Sequence, residues 1–268
     1  MPVTGLYMAR RVHSSAIPYI RAYGECVLND VLPAFSNLSV RAEAIATAEF
    51  KRLGKRQTDE NCDGDMGEEA DAAQEMGQAF YNNMVAIRQT SLNLYATGLF
   101  HLLEQQLAEQ CRDGSFDSQP MPTDTKLGGL KTWYLIHFDI DLSKLLTWPK
   151  IDQLRLLANT VKHGDGGSAK ELKGIRPDIF QDPNLRELLA EFPQMYTSLP
   201  VRSPLAGEDI FVTDKIFSEF HEAATSFVAE IAAHFLKHKE DHYPKPRSSS
   251  IKPMPNVPRS KGTSRIRS

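Results

Sequence analysis

The sequence has little cysteine and no long apolar run. Its 268 residues include three cysteines, Cys26, Cys62 and Cys111, which are too few and too widely spaced for a disulfide framework or a cysteine-based metal site. No stretch approaches the roughly 18 uncharged apolar residues that a transmembrane helix needs, so we expect no membrane contact. The mixed polarity after Arg10 and Arg11 is unlike a secretory signal core. Together these absences predict a cytoplasmic protein with reduced thiols.

The chain also lacks an excess of positive charge over most of its length. It has 31 Lys and Arg against 34 Asp and Glu, a net charge of −3. Residues 244–268 hold seven of the basic residues and no acidic one, so residues 1–243 carry a net charge of −10. An acidic body is not a general nucleic-acid binder, so RNA contact needs a local positive patch or the basic tail. The tail is rich in Pro and Ser, which predicts disorder.

Apolar residues recur at helical spacing almost throughout, which predicts an all-α protein. We expect a disordered tail at 244–268, N-terminal helices and an acidic linker over 1–65, and a helical bundle over 66–243. Pro33 separates two helices, because proline removes a backbone donor inside a helix. The remaining predicted features are a polar break at 55–65, helices at 66–112, 126–137, 148–163 and 182–192, an extended segment at Ile210, and a last helix that begins near Asp214.

Residues 151–164 combine an apolar stripe with a polar stripe on one predicted helix. Residues four apart share a helix face, so Arg155, Asn159 and His163 line up, with Lys162 beside them. Such a stripe is often only a solvent-exposed face, with cations near a helix C-terminus. If it faces a groove, His163 is suited to acid–base chemistry, Arg155 and Lys162 to holding a phosphate, and Asn159 to orienting it. RNA cleavage needs little more than these groups.

The segment from Leu154 to Gly164 resembles the signature helix of the HEPN superfamily. These proteins are small helical bundles, often dimeric, from prokaryotic toxin–antitoxin and phage-defence systems, and many are metal-independent ribonucleases. Asn159 and His163 match the family motif, whereas Ala158 stands where the motif has Arg. Three interpretations stay open: Arg155 substitutes from one turn earlier, Lys162 supplies the charge, or the site is structural. The resemblance covers mainly residues 80–165.

His101 and Glu104 lie three residues apart on the long predicted helix and therefore share a face. Packed against the 148–163 helix, they are candidates to support a site with His163. An ordinary ion pair on a helix surface is the alternative.

Two hypotheses of function follow. The first is a HEPN-like protein of a defence or toxin-type system, a candidate metal-independent endoribonuclease that acts on RNA as a homodimer. This hypothesis needs no cofactor, and its catalytic candidates are His163, Arg155, Asn159 and Lys162. The second is a non-catalytic helical module that binds a partner protein from a neighbouring gene. The absence of Arg at position 158 and the acidic composition favour the second.

Overall fold

The protein is all-helical in the residues that the structure describes. The structure is a computed structural model that describes residues 5–60, 66–114, 121–122, 124–185, 191, 201 and 209–237, and these contain no β-strand. The all-α fold class predicted from the apolar spacing is therefore confirmed. The α-helices are α1 (Gly5–Arg11), α2 (Ile17–Cys26), α3 (Leu38–Glu60), α4 (Met66–Gly114), α5 (Leu127–Phe138), α6 (Trp148–His163), α7 (Gly167–Ile175) and α8 (Asp214–Lys237).

The N-terminal helices form one nearly continuous helical run. The π-helical segments Val12–Ala16 and Val27–Val31 follow α1 and α2 without leaving the helical backbone region. The run ends in a 3-10 turn, Leu32–Phe35, which contains Pro33. The left-handed φ of 54° at Asn37 then redirects the chain into α3. Pro33 thus separates two helices as predicted.

Helix α8 is the centre of the hydrophobic core. Its fully buried aromatic residues repeat at helical spacing and face α1, α2, α4 and α6. Each buried phenylalanine stabilises the fold by about 1.5–3 kcal/mol through removal of apolar surface from water. The four are Phe217, Phe220, Phe227 and Phe235.

Helix α4 has two parts with different surroundings. With 49 residues it is about 73 Å long at ~1.5 Å per residue. Its second part, from Leu92 onward, is buried in the body against α5, α6 and α8. Its first part packs mainly on α3, and α3 in turn packs mainly on α4. These two segments form a two-helix arm beside the body.

A buried amide on α4 holds the extended segment that leads into α8. Asn93 is fully buried; its Nδ2 donates to the carbonyl of Ile210 at 2.8 Å, and its Oδ1 accepts from the N–H of Val212 at 3.2 Å. Gln89 adds a bond from Nε2 to the Val212 carbonyl at 3.0 Å. The segment at Ile210 is therefore neither helix nor strand, and side chains of α4 supply hydrogen bonds to its backbone.

Most predicted helix bounds hold, but the break at residue 55 and the 182–192 helix do not match the structure. Helix α6 ends at His163 and α8 begins at Asp214, where the Thr213 hydroxyl accepts the N–H of Ile216 at 3.2 Å. The polar break predicted from residue 55 is wrong, because α3 continues to Glu60 without apolar residues. Of the predicted 182–192 helix, the described residues show a 3-10 turn at Pro183–Leu185 and a helical Glu191. Residues 186–190, residue 192 and the tail 244–268 lie outside the described residues. No described helix is long and apolar enough to cross a membrane.

Candidate functional site

A carboxylate from the core helix fixes the start of α6. Glu230 of α8 accepts the backbone N–H groups of Leu146 at 2.7 Å and Thr147 at 3.2 Å, and the Thr147 hydroxyl at 2.8 Å. Pro149 follows in the first helical turn, where its missing N–H costs nothing. These contacts orient α6 relative to α8 and determine which of its faces is buried.

The apolar stripe of α6 is buried and its polar stripe is accessible, as the spacing predicted. Leu154, Leu157 and Val161 pack in the core. Ala158 is also fully buried, so a charged arginine at that position would have to lose its hydration in the core. This burial gives a physical reason for alanine where the HEPN motif has arginine. The polar stripe comprises half-buried Arg155, Asn159 and Lys162 and exposed His163.

Two members of the polar stripe line one small cavity. Asn159 and His163 form one wall with Gly164, and the other wall is the start of α7, Gly166–Ser168. The cavity volume is about 260 Å³. This lies just below the range of about 300–1,000 Å³ for pockets that enclose whole small molecules, so the cavity has room for a phosphate group but does not enclose a whole nucleotide.

Gly164 makes this juxtaposition by ending α6 in a conformation that favours glycine. Its φ is 73° and its ψ is −145°, and its N–H donates to the Thr160 carbonyl at 2.9 Å. The chain reverses there, and Asp165 N–H donates to the carbonyl of Val201 at 3.2 Å. The start of α7 is thereby placed beside the last turn of α6.

The N-terminus of α7 has no side-chain cap. Helix α7 begins at Gly167, and the residue before it, Gly166, has no side chain that could accept a hydrogen bond from the first turn. The first N–H groups of a helix have no partner within the helix, and the helix dipole is positive at that end. Such a terminus attracts anions, above all phosphate. In the sequence this wall is marked only by the Gly166-Gly167 pair.

Charges around the cavity are mixed. Lys162 and His163 occupy the last turn of α6, where the helix dipole favours cations. The Asp165 carboxylate is partly offset by Lys173, whose Nζ lies 3.9 Å from Oδ1. Within the described residues Lys162 forms no ion pair, so its charge is available to a ligand.

Arg155 is engaged elsewhere. Its Nε donates to Oδ1 of Asp152 at 2.7 Å, one turn earlier on α6, and both side chains are about one-third exposed. Neither Arg155 nor Lys162 lines the cavity. Of the four catalytic candidates, the structure therefore brings Asn159 and His163 together on one wall.

His101 and Glu104 lie within hydrogen-bond distance, as their spacing allowed, with Nδ1 of His101 3.1 Å from Oε2 of Glu104. The other oxygen of Glu104 accepts the N–H of Leu127, the first residue of α5, at 3.1 Å. Glu104 thus caps α5, and neither residue lines the cavity beside His163.

A charge network that the sequence did not reveal anchors the far end of α7. Arg176 donates from Nε and Nη2 to the Asp178 carboxylate at 2.9 and 2.8 Å, and its Nη1 lies 3.6 Å from Glu219 of α8. The hydrogen bond with Asp178 is the main reason that the pKa of Arg176 is raised. The network attaches α7 to the body and so keeps its N-terminus at the cavity.

Comparison with protein-family models, with curated proteins and with solved structures finds no match to this chain. The resemblance to the HEPN superfamily therefore stands on the residues of α6 themselves.

Proposed function

We propose that the protein is a HEPN-like component of a prokaryotic defence or toxin-type system that cleaves RNA without a metal ion. One observation carries the proposal: Asn159 and His163 share a small cavity with the uncapped N-terminus of α7. The motif residues supply polar side chains, and the helix terminus supplies donors for an anion.

In the proposed reaction, the phosphate of an RNA linkage occupies the cavity. Backbone N–H groups of Gly167 and Ser168 bind its nonbridging oxygens, and Asn159 donates a further hydrogen bond. His163, as a neutral imidazole, takes the proton of the neighbouring 2′ hydroxyl. The 2′ oxygen forms a bond to phosphorus while the bond from phosphorus to the 5′ oxygen breaks. The 5′ oxygen takes a proton from water, and the hydroxide that remains takes the proton held by His163. The products are a 2′,3′-cyclic phosphate and a 5′ hydroxyl, with His163 neutral again.

Lys162 takes the electrostatic role that arginine has in the motif. It is adjacent to His163 and is free of ion pairs in the described part of the chain, whereas Arg155 is bound to Asp152. Loss of its charge therefore weakens RNA binding at low salt more than at high salt. Arg155 acts only if RNA displaces Asp152.

The test is cleavage of a mixed RNA pool by the purified full chain in excess chelator. We compare the wild type with His163→Ala and Asn159→Ala, and Lys170→Ala is the control because this exposed lysine lies on α7 outside the cavity. We expect loss of at least about 100-fold for His163→Ala, the usual contribution of a general base, and cyclic phosphate ends on the products. Equal cleavage by the wild type and His163→Ala rules out the mechanism.

A second function, a non-catalytic module that binds a partner protein, has one specific observation in its favour. The Arg155–Asp152 pair and the buried Ala158 leave the motif without a free arginine. This alternative predicts that Arg155→Ala together with His163→Ala weakens binding of the partner encoded by a neighbouring gene. Full partner binding by the double variant, together with loss of RNA cleavage, favours the enzyme.

A further inference from the structure

The two-helix arm, Leu38–Glu60 with residues 66–87, leaves several large apolar side chains exposed to solvent. Its helices approach closely: a Cβ on Gly77 would lie 2.8 Å from the Ala42 carbonyl oxygen. This seam of small residues leaves large side chains on the outside, including Val40 at 62% and Ile87 at 51% exposure. A two-helix unit that buries so little needs further apolar cover.

An open groove of about 720 Å³ runs along one side of the arm between α3 and α4. The middle of the groove is lined by small residues, Ala42 and Ala46 of α3 with Ala73 and Gly77 of α4. Phe50, near the midpoint of α3, lines it one turn further along. Because the small residues leave space above them, the groove has room for a large side chain from a third helix.

The charges on the exposed face of α3 would match those of a second copy of the same helix. Glu43 and Lys51 are exposed, lie four residues before and after Thr47, and form no ion pair within the described residues. When two copies of α3 pair antiparallel about a two-fold axis at Thr47, Glu43 of each copy lies level with Lys51 of the other. A two-fold axis makes every contact twice, so one register yields two ion pairs.

The same register places a large side chain, Phe50, opposite the groove of the other copy. Phe50 of one copy then lies level with Ala44 of the other. Along the helix axis this is the level between Ala42 and Ala46, where the groove is lined by the smallest side chains. The face is about 30 Å long and about 20 Å wide at ordinary helix dimensions. Two such faces bury about 1,200 Å² in total, the lower end of the range for specific interfaces.

We propose that the arm is a self-association surface on which two copies of this chain pair through α3 into a four-helix bundle, with Phe50 of each copy in the groove of the other. The proposal stands on arm residues alone. It is independent of the cavity at His163, which α6 and α7 form.

The test is sedimentation equilibrium of the full chain over a concentration series. We expect a dimer for the wild type. Glu43→Lys or Lys51→Glu should raise the dissociation constant of the dimer at least about tenfold, because each reversal sets two like-charged pairs in place of two ion pairs. The double variant Glu43→Lys with Lys51→Glu restores opposite charges and should recover the wild-type affinity. Phe50→Ala should weaken the dimer in the same way.

Glu25→Lys, a charge reversal at an exposed position of α2, is the matched control and should leave the dimer unchanged. Circular dichroism shows that each variant is folded, which is expected because all four positions are exposed. A monomeric wild type overturns the proposal. A dimer that tolerates both single reversals, or that fails to recover in the double variant, overturns it as well, because the interface then lies elsewhere. RNA cleavage is measured separately on the same samples, so failure of one proposal leaves the other intact.

Discussion

Replacement of Gly164 by alanine is the sharpest perturbation of the turn that builds the cavity. Gly164 has a φ of 73° with a ψ of −145°, a combination that a Cβ atom makes costly. Gly166, two residues later in the same turn, has a φ of −180° and a ψ of −165°. A Cβ on Gly166 meets no atom within 4 Å. The two glycines line the same cavity but differ in whether they need to be glycine.

The expected loss of stability follows from the backbone conformation of the two glycines. A residue held in a sparsely populated conformation costs about 1–3 kcal/mol, so Gly164→Ala should lower the free energy of unfolding by that amount. For a chain of this size the loss corresponds to a melting temperature lower by about 2–10 °C. Gly166→Ala should change the free energy of unfolding by less than about 0.5 kcal/mol, since it adds no strain and no clash.

Urea unfolding followed by circular dichroism measures both variants against the wild type. Equal stability of Gly164→Ala and Gly166→Ala would refute the described turn, because it would mean that residue 164 does not have a positive φ. A large loss for Gly166→Ala alone would contradict the placement of the α7 start, since that position would then be packed or left-handed.

Two further predictions concern buried polar groups on the helices around α8. Asn93→Leu leaves the Ile210 carbonyl and the Val212 N–H without partners and should cost about 3 kcal/mol in urea unfolding, given ~1–3 kcal/mol for each buried unsatisfied group. Burial raises the pKa of Tyr23, whose hydroxyl donates to the Tyr95 carbonyl at 2.9 Å, to about 12. Its neutral form is therefore favoured in the fold, and the associated stability is complete below pH ~10 and is lost as the pH rises through ~12. Tyr23→Phe should be slightly less stable at neutral pH and should lose less stability over that alkaline range in thermal unfolding.

Helical spacing predicted the fold because most helices here are amphipathic against one core. The stripe of Leu154, Leu157 and Val161 specified the buried face of α6, and Gly164 specified its end, since both signals are local in sequence. The bound at residue 55 was wrong for a related reason: α3 continues to Glu60 through polar residues that carry no apolar signal. Spacing detects buried faces and misses the helical turns that extend beyond them.

Only one of the two cavity walls could be predicted, because one consists of side chains on a helix face and the other consists of backbone. Periodicity brought Asn159 and His163 onto one face, and the structure places them on one cavity wall. The opposing wall consists of backbone at Gly166–Ser168, which has no side-chain pattern to recognise. Arg155 and Glu104 were predicted as site residues but bind other partners, Asp152 and the N–H of Leu127. Those contacts depend on rotamer choice and helix packing, which spacing alone does not encode.

The central claim is that a phosphate group of RNA binds between His163 and the start of α7. Its most direct test is a titration of the isotope-labelled full chain with a nucleoside 3′-monophosphate in chelator, followed by backbone amide resonances in NMR. We predict that the amides of Gly167 and Ser168 shift first and saturably, and that His163→Ala weakens binding while Glu25→Lys does not. Unchanged amides at Gly167 and Ser168, with any shifts confined to residues outside this cavity, would contradict the claim.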